Sequence, residues 1–293
     1  MEAHRQGDLA RCTELMDQFN ETAQGVELGY GLLLKANFFI TYDKRHTLEG
    51  LGMVDEALQL AADCPALQMK CARDGLGLCF HMVDLHRATK YERLGHQLLR
   101  DRPDDPNVQM HRPRFYFNLA HIVSLRQDHA HAYWLLVQGC NALHAQSAKG
   151  KSDERSMALP FYLRISEVSL TLGRSPEAEE ALQRAKPWIS TKVDEIEWLA
   201  FRADYLVRTN QHHLARELLD TVPESDLDGV RPVSQVHFLL QRSLVAQAQG
   251  DVRAFHHYAA QAQKRAVDHA VDYLLCRLQR VMGSPTKMEA NTR

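Results

Sequence analysis

The sequence predicts an all-α protein, an α-solenoid of stacked helix pairs, and three observations lead to this prediction. No strand-length run of Val, Ile and Thr alternates with period two, and no Asn-Gly or Asp-Gly turn joins two apolar strands. Ala, Leu, Gln, Glu, Arg and His instead recur at helical spacing. The turn signal Gln-Gly-Asp stands near both ends of the chain, at 6–8 and 249–251, which indicates an internal repeat.

Apolar stripes predict the individual helices. In "SPEAEEALQRAKPWI", residues 178, 181, 182 and 185 are apolar and stand at i, i+3, i+4 and i+7, which is one face of a helix. The segment "VRAFHHYAAQAQKRA", at 252–266, repeats this spacing. Proline fits the first turn of a helix but not its interior, and three prolines mark predicted helix starts: Pro113, Pro160 and Pro232.

Seven turn positions organise these helices into pairs. Small and apolar residues recur at fixed distances from each position, and successive positions are about 40 residues apart. Glycine is favoured at such a turn because the chain leaves a helix through a left-handed conformation, and Asn is the next best residue. Arg202 and Arg242 interrupt the apolar pattern. The predicted turn positions are Gly7, Gly52, Thr89, Gln127, Gly173, Asn210 and Gly250.

Two units show a large residue, an apolar and small pair, a turn, and small residues on the second helix. They are "YLRISEVSLTLGRSPEAEEALQRA" and "YFNLAHIVSLRQDHAHAYWLLVQG". In this spacing the chain resembles the tetratricopeptide-repeat (TPR) family. The resemblance implies a right-handed α-solenoid of about six to seven helix pairs over residues 1–282. The long, irregular units are similar to the TPR-like arms of bacterial signalling proteins. Residues 283–293 lack apolar periodicity and are predicted to be a disordered tail.

The resemblance also implies a concave binding surface, lined by residues 13, 10, 6 and 3 places before each turn position. Arg114 and His121, near Asn118, would form a basic patch, and an acidic patch would follow further along the chain. A groove of this kind suits an extended or helical peptide, because a few anchors give affinity and charges fix its direction. The candidate binding residues are Arg114, Phe117, Asn118, His121, Glu167, Glu197, Asp204 and His237.

One known TPR ligand class is not expected from this register. The family's basic clamp for a peptide C-terminal carboxylate would need matched Lys, Asn and Arg residues in successive first helices. The predicted turn positions do not place such a set on the concave surface. The register therefore disfavours a receptor for chaperone tails.

The amino-acid composition limits the kinds of partner and the cellular compartment that we expect. The chain has 35 Lys and Arg against 37 Asp and Glu. Its overall electrostatic field therefore does not favour binding to nucleic acid or to an anionic membrane. No apolar run is long enough to span a bilayer, and the first 20 residues carry charges where a signal peptide is apolar. Six cysteines without a C-x-x-C pair fit a reducing compartment. We expect a cytoplasmic protein.

The sequence favours no catalytic or metal site. It contains no G-x-S-x-G elbow, no phosphate-binding glycine loop and no H-E-x-x-H motif. Among 16 histidines, His81 and His86 lie near Cys79, but a helical two-ligand site needs i, i+4 spacing. We therefore expect no catalytic residue, no metal and no cofactor.

Three hypotheses remain open from sequence. The first is a non-catalytic scaffold that binds another protein or a peptide in a bacterial signalling or regulatory system. The second is a sensory arm that binds a small ligand or signalling peptide and controls a separate effector domain. The third is a helical hydrolase with a metal site among the histidines. A homodimer is compatible with any of them.

Overall fold

The computed structural model describes residues 9–42, 46–148, 155–227, 230, 232–269, 273–275 and 278–279. All regular secondary structure in these residues is helical, which confirms the predicted all-α class. The chain divides into two compact units, Met1–Ser152 (unit 1) and Asp153–Arg293 (unit 2). The predicted turn at Gly7 and the predicted tail over 283–293 lie outside the described residues, and a continuous solenoid over 1–282 stays a prediction.

Unit 1 consists of three helix pairs and one preceding helix. Helix α1 packs against α2, and the pairs are α2 with α3, α4 with α5, and α7 with α8. The first helices α2, α4 and α7 contact one another in this order. The helices are α1 Leu9–Thr22, α2 Gly25–Tyr42, α3 Thr47–Leu60, α4 Pro65–His81, α5 Leu85–Asp101, α6 Pro106–Gln109, α7 Arg112–Leu125 and α8 His129–Ser147.

Unit 2 repeats the arrangement with three further pairs. They are α9 with α10, α11 with α12, and α14 with α15, and the first helices α9, α11 and α14 contact one another in order. The helices are α9 Arg155–Thr171, α10 Ser175–Ala185, α11 Lys192–Arg208, α12 His212–Asp220, α13 Glu224–Leu227, α14 Pro232–Ala248 and α15 Val252–Asp268, with a 3₁₀ turn over Lys186–Trp188. The described residues thus contain six pairs and α1, in agreement with the predicted number.

Five of the six pairs share one turn geometry. The second residue after the first helix is left-handed, with φ between 55° and 76°. The next amide then donates to a carbonyl five residues earlier, as from Asp251 to Ala246 at 2.9 Å. The Asp251 side chain accepts from the amide of Ala254, so one Gln-Gly-Asp motif ends one helix and caps the next. The left-handed residues are Val83, Gln127, Gly173, Asn210 and Gly250.

Four predicted turn positions are therefore confirmed, and two are wrong. Gly52 lies inside α3, and Thr89 lies inside α5. The turn of the second pair is at Val83, where a β-branched residue in a left-handed conformation gives no sequence signal. Asp84, which caps α5 by accepting from the amide of Arg87, was the available signal.

The two arginines that interrupt the apolar pattern connect neighbouring pairs. Arg202 on α11 forms an ion pair with Glu179 on α10. The buried Arg242 on α14 donates from Nη2 to the carbonyl oxygens of Leu219 and Val222, at 3.1 and 2.6 Å, where α12 ends. A cation at this place also interacts favourably with the negative end of the helix dipole. Both departures from the repeat thus stabilise contacts between successive pairs.

Two glycine-to-alanine substitutions test the corrected turn positions. Gly52 lies exposed within α3 and Gly173 has a φ of 74°, and a Cβ atom would meet nothing within 4 Å at either residue. Because alanine favours a helix, Gly52→Ala should raise the free energy of unfolding by about 1 kcal/mol. Gly173→Ala should lower it by about 1 kcal/mol, because alanine disfavours the left-handed conformation. Urea unfolding followed by circular dichroism measures both changes. A loss of stability in Gly52→Ala would contradict the helix at this position and support the turn that the sequence predicts there.

Candidate functional site

The corrected turn position changes which residues line the surface of unit 1. Counted from Val83, the places 13, 10 and 3 residues earlier hold Lys70, Arg73 and Phe80 on α4. Counted from Gln127, the same rule gives Arg114, Phe117, His121 and Ser124 on α7. We name the surface formed by these seven residues the unit 1 face. The three residues from α4 are missed from sequence because the spacing predicts the turn at Thr89 and not at Val83.

A buried carboxylate organises the unit 1 face. Asp74 on α4 is only 2% exposed, and its oxygens accept from three side chains. Lys70 Nζ lies 2.8 Å and Asn37 Nδ2 2.7 Å from Oδ2, while Arg73 Nε lies 2.6 Å from Oδ1. Arg73 Nη2 adds a second contact to Oδ2 at 3.1 Å, so this arginine holds the carboxylate with two donors. The network joins α2 to α4.

Two contacts extend the network to α7. Asn118 Nδ2 donates to the backbone carbonyl of Arg73 at 2.7 Å. The buried His111, at the start of α7, lies with Nδ1 3.3 Å from Arg73 Nη1. Since arginine can only donate, Nδ1 must be the acceptor and Nε2 must carry the proton. Asn118 thus orders the first helices, whereas Arg114 beside it is exposed to solvent.

Charge is not balanced in this part of unit 1. Lys70 and Arg73 bind the carboxylate of Asp74, and Arg114 lies close enough to feel the charges of Arg73 and Asp74; we name these three cations the cationic cluster. Burial disfavours a charged carboxylate, but Arg73 and Lys70 outweigh it and hold the Asp74 pKa well below its usual range. Although Arg114 as a whole residue is exposed, burial of its guanidinium among protein atoms, and then the charge of Arg73, lower its pKa. Burial is also the main cause that lowers the pKa of Lys70.

His111 is a neutral member of this region. Burial, followed by the nearby charge of Arg73, lowers its pKa to about 4. Lys70 and Arg114 act in the same direction, and Asp74 opposes them. The histidine is therefore uncharged near neutral pH and does not offset the positive charge of the cluster.

Aromatic rings lie beside the cationic cluster on the same face. Phe80 from α4 stacks on His121 from α7, with ring centroids 4.4 Å apart. Phe117 meets the His121 ring edge-on at 4.7 Å. Phe117 and His121 are half-buried, so both residues keep some contact with solvent. The unit 1 face thus combines an exposed cation with apolar ring surface.

The candidate residues in unit 2 are more completely paired. Glu167 forms an ion pair with Arg164, and Glu197 accepts from the Ser234 hydroxyl. Asp204 is 3% exposed and lies 3.3 Å from Arg208 Nε.

His237, the remaining candidate, is also buried. Its ring meets Phe201 edge-on at 4.6 Å, and its Nε2 lies 3.2 Å from Gln241 Nε2. Asp204 and His237 therefore offer little surface to a ligand.

Residues near the C-terminus pack into unit 2. Leu274 and Leu278 are buried in the same apolar core as α11 and α14. Tyr273 lies near Arg164: burial opposes the charge of this guanidinium, but Glu167, Tyr273 and Glu197 raise its pKa. Every residue from 234 to 243 on α14 is buried. We therefore place the candidate site on unit 1, where Arg114 remains exposed.

The part of the chain that is described contains neither a cluster of metal-ligating side chains nor a membrane-spanning helix. Within it, no three or more His, Cys, Asp and Glu side chains come together as a metal site. His81 lies at the end of α4, two residues after Cys79, whereas His86 lies in the first turn of the separate helix α5. Likewise, none of the described helices combines the length and the apolarity that a membrane span requires.

Comparison with known proteins identifies the fold. No protein-family model and no curated protein matches the chain. A solved structure of a Rap protein complexed with Competence and Sporulation Factor matches with a TM-score of 0.60 and 12% identity, over 96% of this chain and 81% of that chain. The apo form of the quorum sensor NprR from B. thuringiensis covers similar shares, 96% and 93%, at 10% identity, but its TM-score of 0.36 carries no argument. The chain has a degenerate, TPR-like helical-repeat fold.

Acid should destabilise the protein partly through His111. Its pKa of about 4 lies below the unfolded value, so between pH 6.5 and 4 the unfolded chain binds a proton that the folded chain does not. Stability therefore falls as pH decreases through this window. Between pH 7 and 5 the histidine should account for about 2 kcal/mol of the loss.

Urea unfolding of His111→Gln at the two pH values measures this contribution. The variant should lose less stability on acidification than the wild type. His213→Gln, an exposed histidine on α12, is the control and should follow the wild type. An unchanged pH dependence in His111→Gln would contradict the assignment of a neutral, buried imidazole.

Proposed function

We propose that the protein is a non-catalytic regulatory scaffold that binds a peptide on the unit 1 face. The observation that carries the proposal is the meeting of two kinds of group on that face. The exposed residue Arg114 lies on the same helix as the half-buried aromatic residues Phe117 and His121. Such a combination gives a ligand both an apolar anchor and a charged contact.

The architecture of the face suits a peptide better than a compact metabolite. Its groups come from two neighbouring helices, α4 and α7, and are spread along several turns of each. Adjacent helices provide ridges and grooves into which an extended or helical segment fits, with a few side chains as anchors. The Asn118 side chain donates a hydrogen bond to the Arg73 carbonyl, and this bond keeps the surface ordered before a ligand binds. Preorganisation of this kind lowers the entropic cost of binding.

The fold comparison supports a regulatory role. The Rap protein of the matching structure is complexed with Competence and Sporulation Factor, and its fold resembles this one with a TM-score of 0.60. At 12% identity the similarity concerns the fold alone. The ligand specificity of this protein depends on its own side chains. We expect a cytoplasmic setting, with a peptide or another protein as the partner rather than a membrane or nucleic acid.

Glu167, Glu197, Asp204 and His237 have a secondary place in this proposal. Their positions on the first helices of unit 2 made them candidates from sequence, and Glu167 and Glu197 remain half-buried. They would contribute a second, acidic contact region on unit 2. Because each is paired, we expect substitutions there to affect binding less than substitutions on the unit 1 face.

Capture of peptides by the full chain tests the proposal. A pool of random hexapeptides is passed over the immobilised protein, and retained peptides are quantified by mass spectrometry. The wild type should retain a defined subset. Phe117→Ala, which removes an accessible anchor, should lower its retention about tenfold or more, as loss of a central apolar contact does.

Trp134→Ala provides the matched control. Trp134 is an aromatic residue on the second helix α8, is 50% exposed and is not one of the seven residues of the unit 1 face. Its substitution should leave retention unchanged, and thermal unfolding should show that both variants are folded. A wild type that retains no peptide, or retention that depends on Trp134 and not on Phe117, would overturn the proposal.

A further inference from the structure

Large apolar side chains lie exposed at the beginning of unit 1. Leu15 and Phe19 on α1, and Val26, Tyr30 and Leu34 on α2, are between 38% and 60% exposed. They are five of the eleven large apolar side chains that are exposed among the described residues, and the other six are spread over the rest of those residues. Single exposed apolar residues are common on protein surfaces, but a cluster marks an interaction site. We name these five residues the α1–α2 apolar face.

The five side chains form two stripes that adjoin. The members of each stripe follow one another at i, i+4 spacing, so each stripe runs along one side of its helix. The two helices approach closely at Gly31, where a Cβ atom would lie 2.7 Å from Cε1 of Phe19. Tyr30 precedes this glycine, and Leu34 follows it by nearly one turn. The Phe19 ring therefore connects the stripe of α1 with that of α2.

Helix α2 is apolar on its inward and on its outward side. Leu32 and Leu33 are buried, whereas the next residue, Leu34, is 60% exposed. The side that carries Gly29 lies against Leu67 of α4. A helix with apolar residues on all sides is normally covered on all sides. Helix α4 meets this condition with first helices on two sides, α2 and α7, but α2 packs against one first helix, α4, among the described residues.

We propose that the α1–α2 apolar face binds the same face of a second copy of the chain, which gives a closed dimer. The proposal does not depend on the peptide-binding function, because none of the five residues belongs to the unit 1 face. In a two-fold arrangement both copies use the same surface, so apolar stripes meet apolar stripes and no exposed copy of the face remains. The dimer thus covers the outward side of α2 in both copies.

The size of the face fits this partner. Its exposed fractions correspond to roughly 400 Å² of apolar surface, which is the size at which a surface patch is often functional. A standard interface buries about 800 Å² on each partner, and somewhat more than half of this area is apolar. The face therefore supplies about the apolar area that each copy needs in a stable dimer.

The charges that flank the face argue against an anionic membrane as its partner. Arg11 Nη1 lies 2.6 Å from Glu14 Oε2, and Lys35 Nζ lies 2.5 Å from Asp17 Oδ1. Each of these cations therefore already has a counter-charge within its own copy. A second copy brings the same paired charges and the same apolar stripes.

Sedimentation velocity of the full chain tests the dimer. The wild type is measured over about 1 to 100 µM, because interfaces of standard size have dissociation constants that are micromolar or lower. We expect a shift from the mass of one chain to twice that mass and no larger assembly, because a two-fold contact closes on itself. The unfolding temperature should rise with protein concentration over the same range, because dimerisation stabilises the folded state.

A substitution at Leu34 tests whether this face makes the contact. Leu34 is the most exposed member of the face, so a charge there stays in water in one copy, whereas in the dimer it would be buried. Leu34→Glu should weaken dimerisation at least tenfold and remove the concentration dependence of the unfolding temperature. Leu34→Lys should have the same effect, because burial of either charge is costly.

Leu48→Glu is the matched control. Leu48 is 62% exposed on α3 and lies outside the face, so this variant should dimerise as the wild type does. Circular dichroism of each variant at low concentration shows whether the single copy is folded. Peptide retention by Leu34→Glu should equal that of the wild type, so the failure of one proposal leaves the other intact.

Three results contradict the proposal. They are a wild type that keeps the mass of one chain at the highest concentration, a wild type that forms assemblies larger than two copies, and a dimer that both Leu34 variants leave intact. A wild type that stays monomeric but cosediments with vesicles of phosphatidylcholine and phosphatidylserine would assign the face to a membrane instead.

Discussion

A single left-handed residue after the first helix controls the geometry of five helix pairs. It reverses the chain within two residues, and the following amide returns to a carbonyl of the first helix. In three of these turns the next residue is an Asp that caps the second helix. The position of this residue therefore decides which side chains of the first helix face the core and which face the surface.

The sequence was sufficient for the fold but only partly for the site. Gly173, Asn210 and Gly250 could be identified because glycine and asparagine tolerate positive φ, and Gln127 followed from spacing. Val83 could not, since a β-branched residue is disfavoured in this conformation and tertiary packing must hold it there. Gly52 misled the register because an exposed helix interior tolerates glycine at a cost of about 1 kcal/mol. Without Val83, Lys70 and Arg73 had no assigned place on the surface.

Contacts between distant residues could not be read from the repeat at all. Asp74 receives a donor from Asn37 on another first helix, and Asn118 donates to the carbonyl of Arg73. These bonds depend on how closely α2, α4 and α7 pack, which periodicity does not determine. Removing one partner of such a buried group leaves the other unsatisfied, so the network fixes the order and spacing of the first helices.

The two units treat buried charge differently, and this difference has a physical meaning. In unit 2 each candidate charge has a partner nearby, such as Arg164 for Glu167 and Arg208 for Asp204. In unit 1, Arg114 is left beside another cation. A fold selected for stability alone would gain from a second carboxylate at this place, because the mutual repulsion of Arg73 and Arg114 opposes folding. The mutual repulsion of these cations therefore lowers the stability of unit 1, whereas the candidate charges of unit 2 are compensated within the fold.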